Sequence, residues 1–412
     1  MEFIADFHIH SKYSRATSRD MDVKHLAEWA KLKGITLMGT GDFTHHLWLE
    51  ELKHHLEDLG NGLYKYQDIY FILTSEISSI YSKKGRTYRV HNMVIAPSFK
   101  TVDKINEILS RSGNLASDGR PILGMDAADV ARTVFEVDEN CMLIPGHIWT
   151  PWFSLFGSMS GFDRIEDCFE EQTAKIFALE TGLSSDPAMN WRLSALDKFT
   201  LVSNSDSHSP SKIGREANVF NCDLNYKTIR ETLKNKDKDK FLYTVEFFPE
   251  EGKYHYDGHR LCGVRFSPEE TKANKGRCPK CGKPVTVGVM NRVDQLADRP
   301  EGYKPSNAIP FKNLIPLDEI IADAKGMGKT SQAVEKEYRS AVAKFGTEFE
   351  ILLRASKDDL LKGLSPRVVE GVMRVRQGKV KINAGYDGDY GIISIFGDEE
   401  KSSEGEKQLS LF

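Results

Sequence analysis

Two short motifs that combine histidine with a second metal-binding residue lie far apart in this sequence. His8 and His10 form a His-x-His pair, and Asp206 and His208 form an Asp-x-His pair. Residues two apart on a strand face the same side, so both members of either pair can reach one metal ion. A lone histidine is more often an ordinary core or surface residue, but two such motifs at predicted strand ends indicate a metal site.

Three further residues occupy similar positions at the ends of predicted strands. They are Glu76, His91 and His147, the last of them in a Pro-Gly-His segment. Imidazole and carboxylate ligands together suit zinc, manganese or iron, and a glutamate commonly bridges two ions. The candidate ligands taken from the residues alone are His8, His10, Glu76, His91, His147, Asp206 and His208.

The elements that position these ligands alternate along residues 1–225. Residues 3–10 alternate with period two, as a half-buried strand does. Residues 22–33 carry a helical stripe of apolar side chains, which stops at Gly34. Strand–helix alternation predicts a parallel sheet or barrel, whose strand ends bring distant ligands to one face. The other predicted strands are 35–40, 70–75, 90–96, 142–145, 176–180 and 200–203.

Length and charge restrict the class of protein. A chain of 412 residues is long enough for two or three domains. Its net charge of -4 means that any nucleic-acid binding must use local basic patches. We find neither a secretory leader nor an apolar run of the roughly 18–20 residues that a membrane helix needs. We therefore expect a cytoplasmic protein.

Three of the six cysteines cluster within twenty residues of one another. Cys278 and Cys281 form a Cys-x-x-Cys turn followed by glycine, and Cys262 follows His259 at the same spacing. In a reducing compartment this pattern indicates a zinc ribbon rather than disulfides. His255 competes with His259 as the fourth ligand, and the spacing favours His259. We predict one structural zinc that folds a segment poor in apolar residues.

Changes in composition divide the chain into parts. A barrel is predicted at 1–245, a zinc-ribbon-like module at 246–300 and a helical region at 301–390. The segment 326–330 lacks the first glycine and the preceding strand that a nucleotide-binding loop needs. It predicts a helix–Gly-x-Gly–helix hairpin that contacts a DNA phosphate, or a plain interhelical turn. Clustered Lys and Arg residues in the helical region favour DNA binding.

The remaining part, residues 391–412, is predicted to be a disordered tail. Its stretch 398–407 has almost no apolar residues. The apolar pentad that follows resembles the pentapeptide by which bacterial replication and repair enzymes hold the ring-shaped sliding clamp. A partner groove is favoured over a tail that folds back on its own protein. The predicted clamp-binding residues are Gln408, Leu409, Leu411 and Phe412.

The ligand motifs resemble those of the polymerase-and-histidinol-phosphatase (PHP) superfamily. The motifs in question are Asp6-x-His8-x-His10, Glu76, His91, His147 and Asp206-x-His208. The resemblance implies a distorted (βα)7 barrel that holds two or three divalent metals (zinc, manganese, magnesium or iron) and hydrolyses phosphoesters. The implied ligand sets are His8, His10, Glu76 and Asp206 for one ion, Glu76, His91 and His147 for a second, and His208 for a third.

The chain departs from the superfamily pattern at the third ion. Gly41-Asp42-Phe43 stands where the superfamily usually has Thr-Asp-His, and Ala16 stands six residues after His10 in place of a ligand. Either the third site is missing, or it is rebuilt from Asp42 with or without His45. We include Asp42 among the predicted metal ligands.

The order of these parts along the chain resembles the order found in the endonuclease Q family. The stretches 10–15 and 41–45 also resemble the sequences of that family. This resemblance implies a nucleoid-associated, bacterial DNA repair nuclease. Its members cut the phosphodiester 5′ to uracil, hypoxanthine, xanthine or an abasic site. A small-molecule phosphoesterase of the histidinol-phosphatase kind is one alternative, but it leaves the zinc module and tail unexplained. A non-catalytic scaffold tethered to the clamp is another, and it leaves the metal ligands unexplained.

Residues with catalytic or substrate-binding roles are predicted beside the ligands. Asp206 and His147 would take part in catalysis as metal ligands, while Lys12 and Arg15 would contact phosphates. A base must be turned out of the stack to be tested. Aromatic residues that directly follow His147 are candidates for the base pocket or for barrel packing, and they are Trp149, Trp152 and Phe153.

Overall fold

Strands and helices alternate along most of the chain in the computed structural model, which describes residues 1–397. The strands are β1 (Glu2–Asp6), β2 (Leu37–Gly39), β3 (Glu57–Asp58), β4 (Tyr64–Tyr66), β5 (Ile69–Lys83), β6 (Arg86–Ala96), β7 (Ile122–Leu123), β8 (Met142–Pro145), β9 (Ala178–Glu180), β10 (Thr200–Val202), β11 (Ala217–Asn221), β12 (Phe241–Glu246), β13 (Asp257–His259), β14 (Val264–Phe266), β15 (Phe311–Asn313), β16 (Lys381–Asn383) and β17 (Ile392–Ser394). The α-helices are α1 (Val23–Lys33), α2 (His46–His55), α3 (Phe99–Leu109), α4 (Ala127–Val137), α5 (Ile165–Phe169), α6 (Pro187–Asn190), α7 (Tyr226–Lys234), α8 (Pro268–Ala273), α9 (Val289–Leu296), α10 (Leu317–Lys325), α11 (Gln332–Phe345), α12 (Lys357–Leu361) and α13 (Pro366–Arg376).

Strands from the first half of the chain enclose a barrel interior. β1 is parallel to β2, β2 is parallel to β5, and β9 is parallel to β10. β6 pairs antiparallel with both β5 and β8. Backbone hydrogen bonds just beyond the strand ends close the ring, from Ile148 N to Glu180 O and from His10 N to Ser207 O. The predicted distorted seven-stranded barrel is confirmed, with strands β1, β2, β5, β6, β8, β9 and β10.

The β5–β6 hairpin is the main departure from regular strand–helix alternation. Both strands extend beyond the predicted ranges 70–75 and 90–96 toward a turn at Lys84-Gly85. These two residues have φ of 51° and 78°, as in the two-residue turns that match the twist of paired strands. Buried polar residues such as Ser79 interrupt the apolar alternation along β5, so the pattern did not predict its full length.

The barrel sheet continues on the other side of β1. β11 is antiparallel to β1, and β12 is antiparallel to β11. β15 then pairs parallel with β12, although residues 311–313 belong to the segment predicted to be helical. The sheet therefore incorporates a strand that follows the cysteine-rich segment in sequence, and this pairing anchors the start of the helical region to the barrel.

Apolar side chains pack inside the barrel and between its wall and the outer helices. Phe7, Leu37, Ile72, Ile144 and Val202 are fully buried in the inner cluster. They come from five different strands or strand ends, so each contributes to closing the barrel. Burial of each such side chain stabilises the fold by roughly 1.5–3 kcal/mol.

Folded structure continues beyond residue 391, where the sequence predicted the tail to begin. β17 pairs with β16, and Phe396 is fully buried, with the Arg367 guanidinium 3.7 Å from its ring centroid. The apolar run at 392–396 is too short to predict an element without its partner strand, so the predicted boundary was too early. The predicted clamp-binding residues, Gln408, Leu409, Leu411 and Phe412, lie outside the described residues.

The hairpin predicted at 326–330 forms between α10 and α11. Gly326 ends α10 with φ of 61°, and Ser331 caps the start of α11 by accepting from Val334 N. Across residues 1–397, no helix is long and apolar enough to cross a membrane.

Candidate metal centre and the adjoining cavity

His8 follows β1 and lies between carboxylates. Its Nδ1 is 3.0 Å from both oxygens of Glu180, which fixes the ring orientation. Its Nε2 is buried and has no hydrogen-bond partner among the described residues. That nitrogen faces Glu76 Oε2 at 3.7 Å and Asp206 Oδ1 at 3.9 Å. A buried imidazole nitrogen left unpaired beside two carboxylates fits a divalent cation.

Glu76, on β5, turns its two oxygens to two different groups of histidines. Oε2 lies 3.4 Å from His10 Nε2, on the same side as His8. Oε1 lies 2.7 Å from His91 Nδ1 and 3.1 Å from His147 Nε2. Metal–ligand bonds of roughly 2.0–2.1 Å put neighbouring donor atoms about 3–3.5 Å apart. Glu76 therefore has the geometry of a carboxylate that bridges two ions.

Each side of Glu76 belongs to a group of donors that could hold an ion. His8, His10 and Glu76 form one group, and Glu76, His91 and His147 form another, with donor atoms within 4.8 Å of one another. Asp206 joins the first side, because its Oδ1 lies 3.0 Å from His10 Nε2. A third group with the same spacing consists of His10, Asp206 and His208.

Glu180, at the end of β9, organises the centre and was missed by sequence reasoning. Besides its contacts with His8, it accepts hydrogen bonds from His147 N at 2.8 Å and Asn204 Nδ2 at 2.8 Å. His147 has φ of 29°, a strained conformation that this contact helps to hold. The signal was available, since Glu180 is a carboxylate that ends a predicted strand, as Glu76 does.

Asp42 lies behind His10 rather than beside the other predicted ligands. Its Oδ1 is 3.1 Å from His10 Nδ1, and its Oδ2 accepts from Ser11 N at 2.6 Å and from the Ser11 and Ser14 hydroxyls at 2.7 and 2.8 Å. Both oxygens are thus engaged, and the structure places Asp42 as a carboxylate that orients His10. His45 stacks on Tyr13, with ring centroids 4.4 Å apart, and does not join a donor group.

The protonation states of the centre follow from burial and mutual charge. Burial would raise the pKa of Asp206, but the hydrogen bond with His10 and the charges of His8 and His10 lower it below its usual range. The pKa of Glu76 is likewise lowered, against burial, by His91 and Arg120. Burial lowers the pKa of His91 to about 4. Both carboxylates are therefore ionised, the form that binds a metal ion, and the carboxylates around His8 and His10 raise the pKa of both imidazoles against burial.

Arg120 is a second residue of the centre that the sequence did not indicate. Its Nη1 lies 3.1 Å from Glu76 Oε2, and its side chain is 26 % exposed. The predicted phosphate contacts Lys12 and Arg15 lie farther out, where Lys12 pairs with Glu51 at 2.8 Å and Arg15 with Asp118 at 3.2 Å. No sequence motif marks Arg120, because it reaches Glu76 from the loop before β7.

A cavity of about 690 Å³ adjoins the metal-ligand groups. Thr150 in its wall has its Oγ1 3.3 Å from His147 Nδ1. Arg215, also in the wall, donates from Nε to Ser205 O at 2.9 Å and from Nη2 to Asp206 O at 3.4 Å. The barrel, the cysteine-rich module and the helical region all contribute to this wall, with Trp152, Tyr254 and Lys329 among its residues.

The three aromatic residues predicted for a base pocket have separate environments. Trp152 lines the cavity and meets Tyr254 edge to face at 5.3 Å. Trp149 is fully buried, packs on Phe156 and donates from Nε1 to Asn190 at 2.7 Å, so it is barrel packing rather than pocket wall. Phe153 instead lies against the His91 ring at 4.9 Å.

The predicted zinc ligands meet at one corner of the cysteine-rich module. His259 ends β13 and Cys262 follows it, while Cys278 and Cys281 come from the second turn. All four donor atoms lie within 4.8 Å of one another, and His259 Nδ1 is 3.8 Å from Cys281 Sγ. The competing residue His255 is buried elsewhere, and burial lowers its pKa to about 4. The structure thus favours His259 as the fourth ligand.

Histidines and carboxylates that converge at the strand ends of a barrel define this protein as a metal-dependent hydrolase. The lesion-specific endonuclease PfuEndoQ from Pyrococcus furiosus is 33% identical and has a TM-score of 0.87, covering 98% of this chain and 99% of its own. A crystal structure of Endonuclease Q with a 27-mer duplex substrate and an abasic lesion at the active site is 33% identical, with a TM-score of 0.85 over 97% and 98% of the two chains. The chain belongs to the endonuclease Q family.

Further relatives match by sequence. Protein YqxK of Bacillus subtilis is 28% identical over 411 residues, which are 94% of this chain and 98% of the relative. Protein MJ0043 of Methanocaldococcus jannaschii is 34% identical over 271 residues, which are 63% of this chain, and the chain spans only 33% of that relative's length. The family model of the MJ0043 C-terminal domain matches residues 316–379, which contain α10 to α13.

Proposed function

We propose that the chain is a metal-dependent DNA repair endonuclease. It hydrolyses the phosphodiester 5′ to a deaminated base (uracil, hypoxanthine or xanthine) or to an abasic site. The observation that carries this proposal is the pair of donor groups joined by Glu76, beside a cavity whose 690 Å³ suits a small organic group. The family supports it, since one relative is a lesion-specific endonuclease and another holds an abasic lesion at its active site.

Two or three divalent ions would complete the centre, with zinc, manganese, magnesium and iron as candidates. The ligands of the first two would be His8, His10, Glu76 and Asp206 on one side, and Glu76, His91 and His147 on the other. When bound, such ions activate water and stabilise negative charge on phosphodiester oxygens. His208 would contribute to a third ion together with His10 and Asp206, and Asp42 would keep His10 in its orientation.

Arginine and lysine residues around the centre would receive the DNA backbone. Arg120 now contacts the Glu76 carboxylate, and ions bound by Glu76 would compete with the arginine for it. The guanidinium group would then be free to bind a phosphate oxygen of the DNA. Arg15, with 77 % of its side chain exposed, and Lys12 would contact flanking phosphates. In the exposed turn at Gly326 to Gly328, the Gly328 N–H would donate to another phosphate, since the N–H groups of Gly326 and Met327 already donate to carbonyl groups of α10.

Two further features would serve the enzyme outside the reaction itself. One structural zinc held by His259, Cys262, Cys278 and Cys281 would fold the module that forms part of the cavity wall. The tail residues Gln408, Leu409, Leu411 and Phe412 would bind the sliding clamp, which would place the enzyme in the cytoplasm at the nucleoid.

A cleavage assay tests the proposal. Duplexes with one central uracil, hypoxanthine or abasic site, and an undamaged duplex of the same sequence, are incubated with the protein and Mn²⁺ or Mg²⁺. We expect one nick 5′ to each lesion and none in the control duplex. A small phosphomonoester is assayed in parallel. Hydrolysis of the monoester without nicking would instead favour the small-molecule phosphoesterase alternative.

A further inference from the structure

Glu251 lines the cavity, and its carboxyl group has no partner among the residues that the structure describes. The residue follows β12, in the short turn that begins at Pro249, and its side chain is partly exposed to the cavity. Within residues 1–397, no side chain forms an ion pair or a hydrogen bond with this carboxyl group. A half-buried carboxyl group without a partner, facing a cavity, is available to a ligand.

The cations that share the cavity are already engaged elsewhere. Lys212 Nζ lies 3.0 Å from Glu319 Oε1, and Lys329 Nζ lies 3.2 Å from the same oxygen. Arg215 donates to backbone carbonyl groups beside the metal centre. Lys253 lies 4.4 Å from the ring centroid of Tyr390. Lys212 and Lys329 therefore both pair with Glu319, and neither forms an ion pair with Glu251.

The surroundings keep Glu251 protonated over much of the neutral range. Burial and the neighbouring Glu319 charge raise the pKa of Glu251 to about 8, although the charges of Lys329, Lys212 and Arg215 act in the opposite direction. An acid with a raised pKa is neutral below that pKa and becomes a carboxylate above it. At neutral pH the group therefore has an O–H donor as well as a carbonyl acceptor.

We propose that the Glu251 carboxyl group donates a hydrogen bond to the carbonyl oxygen that deamination creates on the base. The inference rests on the proposed function and assigns a residue to the recognition of its substrate. Uracil, hypoxanthine and xanthine each present this carbonyl beside a ring N–H. A neutral carboxyl group can donate to the first and accept from the second, whereas a carboxylate would repel the carbonyl oxygen.

The remaining wall fits a base held in this way. Trp152 and Tyr254 present aromatic surfaces, and Tyr390 is 71% exposed at the rim. Bases stack readily on such rings. Thr150 connects this wall to His147 through the 3.3 Å contact between its Oγ1 and the histidine Nδ1. A nucleotide with its base on Glu251 would therefore lie next to the metal ligands.

The test compares a base-containing lesion with one that has no base. Single-turnover cleavage rates are measured on a uracil duplex and on the same duplex with a stable abasic-site analogue. We expect Glu251→Leu to lower the uracil-to-abasic rate ratio roughly tenfold or more, because the base loses its donor. Glu251→Gln should keep the ratio within about threefold of the wild type, since the amide retains a donor and an acceptor.

The pH profile gives a second readout. Between about pH 7 and 9 the wild-type ratio should fall up to tenfold as the carboxyl group ionises, while the ratio of Glu251→Gln should stay flatter. Both proteins act on the same uracil, so ionisation of the base itself affects them equally. Glu250→Gln is the matched control, because this neighbouring half-buried carboxyl group does not line the cavity.

The outcomes separate the two proposals. Cleavage of the abasic duplex by every variant shows that each one folds and is active. An unchanged ratio in Glu251→Leu, or equally steep pH profiles in wild type and Glu251→Gln, would overturn the role of Glu251. Failure of the wild type to cleave either duplex would instead overturn the proposed function.

Discussion

At the scale of single residues, the centre depends on carboxylates that hold histidines in place. Glu180 fixes His8, and Asp42 fixes His10, each through the nitrogen that faces away from the donor group. Spacing in the sequence predicted the histidines and Glu76, and the structure brings them together. The spacing could not distinguish a metal ligand from a carboxylate that orients a histidine. That distinction depends on which ring nitrogen each histidine turns toward the donor group. Asp42 is predicted as a ligand from its place in the superfamily motif, whereas its contact with His10 lies on the far side of the ring.

Removal of Asp206 tests the ligand assignment. We expect Asp206→Ala to abolish cleavage while the fold and DNA binding are largely retained, because the carboxylate contacts His10 and no apolar core is lost. Cleavage, circular dichroism and duplex binding are measured together at limiting metal. Asp239→Ala is the control, as its side chain is on an exposed turn. Wild-type rates for Asp206→Ala would remove this residue from the ligand set.

Glu180 gives a second prediction at this scale. Glu180→Gln keeps an acceptor for His8 but removes the negative charge behind the ring, so we expect metal affinity to fall roughly 10–100-fold. Competition with a chelator measures the affinity directly, without reliance on cleavage. Glu166→Gln, on the exposed side of α5, should leave the affinity unchanged. Equal affinities for both variants would mean that Glu180 only supports the His147 backbone.

At the scale of elements, local patterns predicted most strands of the barrel itself but not the strands that extend its sheet beyond β1. The strands predicted at 142–145 and 200–203 correspond to β8 and β10, because both are short apolar runs. β11 and β15 depend on partners distant in sequence, and no local pattern indicates such pairing. The same applies to β17, whose partner β16 places 392–394 in the folded region.

The zinc module is the element whose stability is easiest to test. We expect Cys278→Ser with Cys281→Ser to release one zinc per chain and to lower the thermal stability of residues 246–300. The barrel metals should be much less affected, because their ligands come from other strands. Bulk metal analysis and hydrogen exchange measure the two effects. Cys222→Ser, away from the module, should retain the zinc. Unchanged zinc in the double variant would contradict the ribbon.

At the scale of the whole molecule, the cavity is built from parts that are distant in sequence. Trp152 comes from the barrel, Tyr254 from the zinc-binding module and Tyr390 from the C-terminal part of the described chain. Composition predicted these parts as successive units, but it could not predict that they enclose one space. These parts are joined by contacts such as the hydrogen bond from Tyr256 N to Gly385 O at 3.0 Å. No sequence motif marks either residue, so the sequence does not predict the contact.

The tail gives the prediction for the molecule in its cellular setting. Deleting 408–412 should leave cleavage of short free duplexes unchanged and should remove co-migration with the clamp on a sizing column. A short linear motif loses conformational entropy on binding, so we expect affinity on the order of micromolar. Leu411→Ala should weaken binding, whereas Ser410→Ala, within the same pentad, should not. Loss of cleavage on free duplexes would show that the tail belongs to the enzyme's own fold.

The position of β1 has a consequence for how the protein is made. β1 pairs with β11, and His10 meets Asp206 across 196 residues of sequence. During synthesis the first two histidines leave the ribosome long before their partners, and contacts so distant in sequence form slowly. Two of the seven candidate ligands are therefore exposed on a nascent chain that cannot yet close its barrel. The donor group on the His8 side of Glu76 is therefore complete only after residue 206 has been synthesised.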